Sequence, residues 1–235
     1  MQKKIGTAIQ HESVVNQIVR QITDAIIGGT LKPGDKLPPE PELRETFGTS
    51  RNSIREAIKI LEAYGVVYIK RPDGTYVNDS YNQKMLDPML YGILLQKDFT
   101  KDIVQLRKVL DIGIMQTLSR PLPEADLAVI REAFTHLCEA ASAPAADSNL
   151  LMQADMDFHM SLIGAAHNEL LTNMYSYVDR MTIPTRLNAV STIIADSETT
   201  NFIQLHQNLI DILEGKRSDI DDTINEHYIY WKQTM

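Results

Sequence analysis

Three amphipathic helical patterns followed directly by a β-hairpin pattern, all within residues 13–78, most strongly constrain the fold of this 235-residue chain. In the first pattern, Val15, Ile18, Ile22 and Ile26 recur at steps of three and four residues. This spacing places apolar side chains on one face of a helix. The first pattern therefore predicts a helix that is buried along one side.

The next two helical patterns are shorter and are separated by turn residues. A second helix is predicted over roughly Glu40–Phe47, and a third over RNSIREAIKILEAY, with Ser50 as its N-cap and Gly65 at its end. The runs VVYIK and TYVND are β-prone, and the intervening RPDG is typical of a hairpin turn. Three helices and a two-stranded wing in about 65 residues predict a winged helix-turn-helix.

The third helix has one apolar face and one basic face. Its basic face carries Arg51, Arg55 and Lys59 at intervals of four residues. A recognition helix in the DNA major groove uses such long donors to reach guanine edges. A solvated basic face is the alternative that the stripe alone leaves open. The position of the stripe, on the second helix of a helix-turn-helix and before a wing, favours DNA contact.

The charge is divided unevenly along the chain. The formal net charge is -8, yet residues 1–78 hold 11 Lys/Arg against 9 Asp/Glu and are therefore weakly basic. The remaining residues carry the whole acidic excess. The acidic net charge argues against a chain that coats nucleic acid indiscriminately, and the asymmetry indicates two separate roles on one polypeptide.

Composition also excludes several classes of protein. Apolar residues make up 43% of the chain, but no run has the ~18 consecutive apolar residues that a membrane span requires. The first residues lack the apolar core of a secretory signal. A lone cysteine, Cys138, permits neither an internal disulfide nor a cysteine-based zinc site within one chain. A reducing cytoplasm is the expected location.

Helical patterns account for the chain after a polar stretch at 78–84. The predicted fold class is mainly α: an N-terminal winged helix-turn-helix at 1–78, a linker at 79–86 and a C-terminal all-α seven-helix bundle at 87–235. Pro184 is expected to end or kink the fifth helix. The seven predicted helices lie near 87–96, 100–119, 123–140, 149–166, 168–186, 197–214 and 218–233.

One carboxylate and three imidazoles in the helical part form a candidate metal site. Asp155 and His159 are four residues apart, so they share one helix face. His206 and His227 lie on the last two predicted helices. Such a set suits Zn, Ni, Fe or Mn with coordination positions left open. Spacing alone leaves open that these histidines are partly buried polar residues with ordinary hydrogen-bond partners.

Residues 13–78 resemble the DNA-binding domain of the GntR family of bacterial transcription regulators. The matching segments are PGDKLP, SRNSIREAI followed by LEAYG, and a wing that ends in GTYV. The resemblance implies that the third helix contacts operator DNA and that the wing tip enters the minor groove. The implied contacts are Ser50, Arg51, Asn52, Ser53 and Arg55 on the helix and Gly74 on the wing; the basic face adds Lys59.

The turn before the second helix departs from the family pattern. Family members usually carry an arginine, often a base-reading one, directly after the glutamate of this turn, whereas this chain has Pro41. Either the operator differs at that base or a neighbour such as Arg44 substitutes. We favour a changed operator.

The helical part resembles the FCD ligand-binding domain of the FadR subfamily, through DMDFHMSLIGAAHNELL, LHQNLIDILEG and INEHYIYW. The resemblance implies a divalent metal ion held by an Asp-x-x-x-His pair and two C-terminal histidines. The interval between the last two histidines is one residue shorter than usual, and the shortening is assigned to the EGKRS turn. The implied ligands are Asp155, His159, His206 and His227.

Another segment, IVQLRKVLDIGI, resembles the FCD helix whose arginine faces the cavity. That residue is Arg107, a candidate anchor for an effector carboxylate through bidentate pairing. Asp111 is expected either to hold the Arg107 guanidinium or to form an ordinary surface pair with it. Arg180 and Arg186 are weaker candidates for the same pocket, and we interpret them as surface charges. The metal-ligand set points away from acyl-CoA effectors, whose subgroup lacks it.

These patterns predict a repressor of genes for the uptake or breakdown of a small organic acid. It would act as a homodimer on palindromic operator DNA, with the effector on the metal. A metal-dependent hydrolase is one alternative, although no general base is evident beside the site and the DNA-binding part would be unexplained. A regulator that senses the metal itself is the other alternative.

Overall fold

The computed structural model describes residues 12–80, 82–85, 92–93, 95, 99–118 and 121–232. The chain divides into two compact units, Met1–Ile93 and Leu94–Met235. Most of the helix predicted at 87–96 lies outside the described residues, as do parts of the predicted linker at 79–86. The proposed limits of that linker therefore remain a prediction.

The first unit has the order of elements that the sequence predicts. Ser13 caps its first helix by accepting a hydrogen bond from the Asn16 backbone N–H at 3.1 Å. Gly48, in the left-handed region at φ +58°, ends the second helix. The elements are α1 (Val14–Ile27), α2 (Glu40–Phe47), α3 (Arg51–Ala63), β1 (Val67–Lys70), β2 (Gly74–Val77) and a 3₁₀ turn (Gln83–Met85).

The apolar faces of α1, α2 and α3 meet in one core. Ile22 of α1, Leu43 of α2 and Ile54 of α3 are all buried in it. The antiparallel hairpin pairs Val67 with Val77; Val67 belongs to this core, and Val77 is also buried. Burying this face of α3 directs its basic face to the solvent.

The regular elements in the described part of the second unit are all helices. α4 and α10 pack together, as do α5 with α6 and α6 with α8. Its helices are α4 (Phe99–Thr117), α5 (Glu124–Ala141), α6 (Ser148–Gly164), α7 (Glu169–Met181), α8 (Ile183–Ala195), α9 (Thr199–Leu213), α10 (Ile220–His227) and α11 (Ile229–Lys232).

The all-helical prediction is confirmed, but two predicted helices are each divided. The helix predicted at 168–186 ends at Met181, and a new helix begins at Ile183. Pro184 lies in the first turn of α8, where a missing N–H costs nothing. The proline thus begins a helix that continues to Ala195, through residues for which no helix was predicted. The helix predicted at 218–233 is divided at Tyr228.

Two expectations from composition can be compared with the described residues. Within these ranges, no helix has the length and the hydropathy to cross a bilayer. Cys138 on α5 is a free, half-buried thiol.

Candidate functional site

The solvent-facing side of α3 presents its basic side chains as expected. The side chains of Arg51, Arg55 and Lys59 are 63%, 60% and 62% exposed. At the start of the helix, the Ser50 hydroxyl accepts a hydrogen bond from the Ser53 backbone N–H at 3.2 Å. Asn52 is exposed beside them. All the predicted α3 contacts therefore lie at or near one surface.

A groove of about 840 Å³ separates α3 from the hairpin. Gly74 lines it at φ +152°, and a Cβ there would lie 2.6 Å from Lys36 Cε. Glycine at this position lets the lysine stem pass close to the backbone of the hairpin. Five basic side chains line the groove against two acidic ones, Glu40 and Asp73. The basic residues are Lys36, Arg55, Lys59, Lys70 and Arg71.

In the second unit, the structure brings the four predicted metal ligands together. Asp155 and His159 lie one turn apart on α6, His206 lies on α9, and His227 ends α10. Each side chain is buried, and one ligand atom from each lies within 4.8 Å of the others. The shortened interval before His227 does not remove it from the group. We call these four residues the Asp–His cluster.

The hydrogen bonds of the Asp–His cluster fit a bound cation. His206 Nδ1 donates to the Phe202 carbonyl oxygen at 2.8 Å, since a carbonyl only accepts. In a neutral ring, His206 Nε2 then bears a lone pair, and it lies 2.8 Å from Asp155 Oδ1, another acceptor. Two acceptors at that distance need a proton or a metal ion to hold them together. His159 Nε2 and His227 Nε2 face each other at 3.0 Å beside this pair.

Burial sets the protonation of the cluster. Burial lowers the pKa of His159 well below its ordinary value, and the positive charge of Arg107 acts in the same direction. Burial and the neighbouring His206 likewise lower the pKa of His227. Burial opposes ionisation of Asp155, but Arg186 holds the pKa of that carboxyl well below its usual range. Neutral imidazoles and an ionised carboxylate are the forms that bind metal.

Arg186 belongs to this buried site, so its interpretation as a surface charge is wrong. The residue is 1% exposed, and its guanidinium donates to both Asp155 and Asp179. Arg180 is exposed, as expected. Arg186 lies on the same face of α8 as buried Ala189, Val190 and Ile193. That periodic pattern was a local signal for its burial.

Arg107 and Asp111 form a second part of the buried site. The Arg107 Nε atom donates to the Tyr175 hydroxyl at 3.1 Å and lies 3.6 Å from Asp179 Oδ1. Tyr175 and Tyr228 both donate to Asp111. The Arg107 Nη1 atom is buried without a hydrogen-bond partner among the described residues. Asp111 therefore belongs to a buried network, and the alternative of a surface pair is excluded.

The aromatic ring of Trp231 covers both guanidinium groups. The Cζ atoms of Arg107 and Arg186 lie 4.9 Å and 5.6 Å from its centroid. Such cation–π contacts are most favourable when they are desolvated, as here. Asp111 and His159 line a cavity of about 10 Å³, close to the size of one water molecule.

Comparisons with known proteins agree with both parts of this description. The model for bacterial regulatory proteins of the gntR family matches residues 14–77, and the FCD domain model matches 102–228. The chain belongs to the GntR family of transcription regulators and carries an FCD domain. The regulator is thus a DNA-binding protein, and the hydrolase alternative is set aside because family members and relatives are regulators.

Three characterised or named relatives illustrate the family. The HTH-type transcriptional regulator LutR of Bacillus subtilis (strain 168) is 34% identical over 160 residues, which cover 68% of this chain and 71% of the relative. The galactonate operon transcriptional repressor of Escherichia coli (strain K12) is 28% identical, covering 68% and 69%. The putative L-lactate dehydrogenase operon regulatory protein of the same strain is 25% identical, covering 94% and 85%.

A solved structure supports the fold. The Streptococcus agalactiae GntR protein aligns with a TM-score of 0.58 at 19% identity, covering 94% of this chain and all of that one. At this level of identity the likeness concerns the fold alone.

Proposed function

We propose that this regulator is a repressor whose operator affinity is controlled by a small organic acid bound at a divalent metal ion. A homodimer binds a palindromic operator, and the regulated genes serve uptake or breakdown of that acid. The observation that carries the proposal is the Asp–His cluster, with its four ligand atoms within 4.8 Å, beside two buried arginines, Arg107 and Arg186.

The charges around the cluster support a metal and an anion together. Two buried guanidinium groups, Arg107 and Arg186, face three buried carboxylates, Asp111, Asp155 and Asp179. Burial raises the pKa of Asp111, but Arg107 and the hydrogen bonds from Tyr228 and Tyr175 act in the opposite direction and favour its ionised form. With all three carboxylates ionised, these groups carry one negative charge in excess, and buried charge without a partner is costly. A divalent cation reverses the excess to one positive charge, which a single carboxylate neutralises.

Arg107 is the proposed anchor for the carboxylate. Its Nη1 atom has no partner among the described residues, and a planar guanidinium matches a carboxylate in bidentate geometry. The cavity beside His159 is too small for an organic acid, so the acid requires the surrounding helices or Trp231 to move. A ligand that binds only one conformation of these helices shifts the conformational equilibrium toward that conformation.

The names of two relatives indicate which acids to test first. One relative is a repressor of a galactonate operon, and another is named for an L-lactate dehydrogenase operon. Both names contain small hydroxy acids with one carboxylate. We therefore select D-galactonate and L-lactate as probes.

We expect purified protein to hold about one divalent ion per chain, and His206→Ala to lose most of it. Because the folded chain binds the ion far better than the unfolded chain does, a chelator should lower the melting temperature. Elemental analysis of protein prepared without nickel affinity resin measures the content. His136→Ala, an exposed histidine away from the cluster, is the matched control. If the protein contains no metal and shows no thermal shift on addition of Zn²⁺, Ni²⁺ or Mn²⁺, the histidines are ordinary buried polar residues and not metal ligands.

We expect Arg107→Lys to retain metal and operator binding but to lose the response to the acid. Lysine keeps the buried positive charge, whereas the planar fork is lost. Titration with L-lactate and D-galactonate is followed through the fluorescence of Trp231, the one tryptophan of the chain, which lies against Arg107. Arg180→Lys on the exposed face of α7 is the control.

Three experimental outcomes would contradict parts of the proposal. An unchanged affinity of Arg107→Lys for the responding acid would place the carboxylate elsewhere. Release of operator DNA by metal alone would favour the metal-sensor alternative. Operator DNA that leaves the affinity for the acid unchanged would remove the coupling, because linkage is reciprocal and typically amounts to ~1–3 kcal/mol.

A further inference from the structure

Glu40 places a carboxylate between the two arginines of the recognition helix. It is the first residue of α2, and its Oε2 accepts a hydrogen bond from Arg51 Nε at 3.0 Å. Its other oxygen, Oε1, accepts one from Arg55 Nε, also at 3.0 Å. Both oxygens are thus used, one for each arginine, and the two contacts span 11 and 15 positions of the sequence.

The contact leaves the ends of both guanidinium groups available. Each arginine uses its Nε atom for Glu40, and the structure describes no hydrogen bond from the terminal nitrogens of Arg51 or Arg55 to another described residue. The terminal pair of nitrogens can still donate to guanine O6 and N7 in the bidentate manner that reads a base. Glu40 therefore orients the arginines without occupying the atoms that contact the base.

A carboxylate at this place is unfavourable for general DNA binding. The first turn of α2 carries two acids, Glu40 and Glu42, while Arg44 in the last turn is its basic residue. A negative charge beside the recognition helix repels phosphates and reduces the number of counterions that binding releases. Burial opposes ionisation of Glu40, but the hydrogen bonds from Arg51 and Arg55 lower its pKa, so the charge persists.

We propose that Glu40 is a specificity-determining positioning residue that directs Arg51 and Arg55 toward matching base edges and penalises DNA that lacks them. On matching DNA, both arginines read bases while they keep their bonds to Glu40. On other DNA, the arginines can make favourable contacts only by turning to phosphates. That movement breaks both bonds and leaves an unpaired carboxylate beside the DNA backbone.

The test uses Glu40→Gln in the full-length protein and a duplex that the wild-type protein selects from a random library. The substitution keeps the shape but removes the charge and one of the two acceptor oxygens. We expect affinity for a scrambled duplex to rise several-fold and affinity for the selected duplex to stay equal or fall. The ratio of the two affinities should decrease about tenfold.

Salt dependence supplies a readout that a merely structural role would not change. If the arginines of Glu40→Gln reach phosphates on scrambled DNA, log affinity against log salt should steepen by ~0.9 for each added phosphate contact. Glu40→Asp keeps the charge on a shorter stem and should restore the shallower slope. The melting temperature of the DNA-binding unit checks that each variant is folded.

Glu42→Gln is the matched control, because it removes the same charge from the same turn at an exposed position for which no ion pair is described. It should strengthen binding to both duplexes by similar factors and leave their ratio unchanged. Equal changes for both duplexes in Glu40→Gln, as in this control, would overturn the proposal and reduce Glu40 to a general surface charge. A scrambled-DNA slope identical to that of the wild type would also contradict it.

Discussion

Replacing both Arg51 and Arg55 with alanine is expected to abolish sequence-specific operator binding while the fold persists. Each bidentate contact to a base edge contributes ~1–3 kcal/mol of discrimination, so the pair accounts for roughly 30-fold to 10⁴-fold in affinity. Both side chains are mostly exposed, and their only described partner is the partly exposed Glu40. Surface pairs of this kind contribute little to folding stability.

Lys59→Ala is the comparison that separates base reading from general attraction. Lys59 lies one turn farther along the same face of α3 and is as exposed as the arginines. If Lys59 contacts a phosphate, the Lys59→Ala variant should bind all sequences more weakly by a similar factor. The slope of log affinity against log salt should become shallower by about 0.9. Gel-shift titrations with the selected and scrambled duplexes measure both effects. Unchanged selected-duplex binding by the double variant would eliminate the major-groove model.

Arg186→Met is expected to destabilise the FCD domain by about 3–5 kcal/mol, because it removes the partner of buried carboxylates. Arg186 donates to Asp155 and Asp179, and all three side chains are at most 6% exposed. Methionine retains much of the side-chain volume, so the loss of charge pairing dominates the effect. Saturating Zn²⁺ should restore part of the stability, since the cation neutralises Asp155.

Urea denaturation followed by Trp231 fluorescence measures this change. The single tryptophan lies in the second compact unit, Leu94–Met235, and therefore reports that unit alone. Arg180→Met, which removes an exposed arginine from α7, should change the free energy of unfolding by less than about 0.5 kcal/mol. Equal unfolding midpoints for the two variants would show that the Asp155–Arg186–Asp179 contacts do not support the fold.

The DNA-binding unit was predictable because its signals are local. Apolar spacing in α1 and α3 depends on helix geometry alone, and the Ser13 and Ser50 caps act within a few residues of themselves. The Glu40 contact to α3 was not predicted. It depends on how α2 packs against α3, and the sequence alone shows only an acid in a turn.

The division of the predicted helix 168–186 shows the limit of local rules. Proline is unfavourable inside a helix and favourable in its first turn, so Pro184 fits either the end of one helix or the start of another. Packing of the Arg186 face of α8 against α6 decides the outcome. The burial of Arg186 follows from that packing.

The buried site combines both kinds of information. Sequence by itself determined that Asp155 and His159 share a helix face, because four residues make about one turn, and it offered His206 and His227 as candidate ligands on two later helices. Only the tertiary structure decided that His206 and His227 reach them, since three helices must converge. It alone also placed Asp179, Arg186 and Trp231 around the cluster. Charges from separate helices can share one buried volume only when packing removes water and forces each to find a partner.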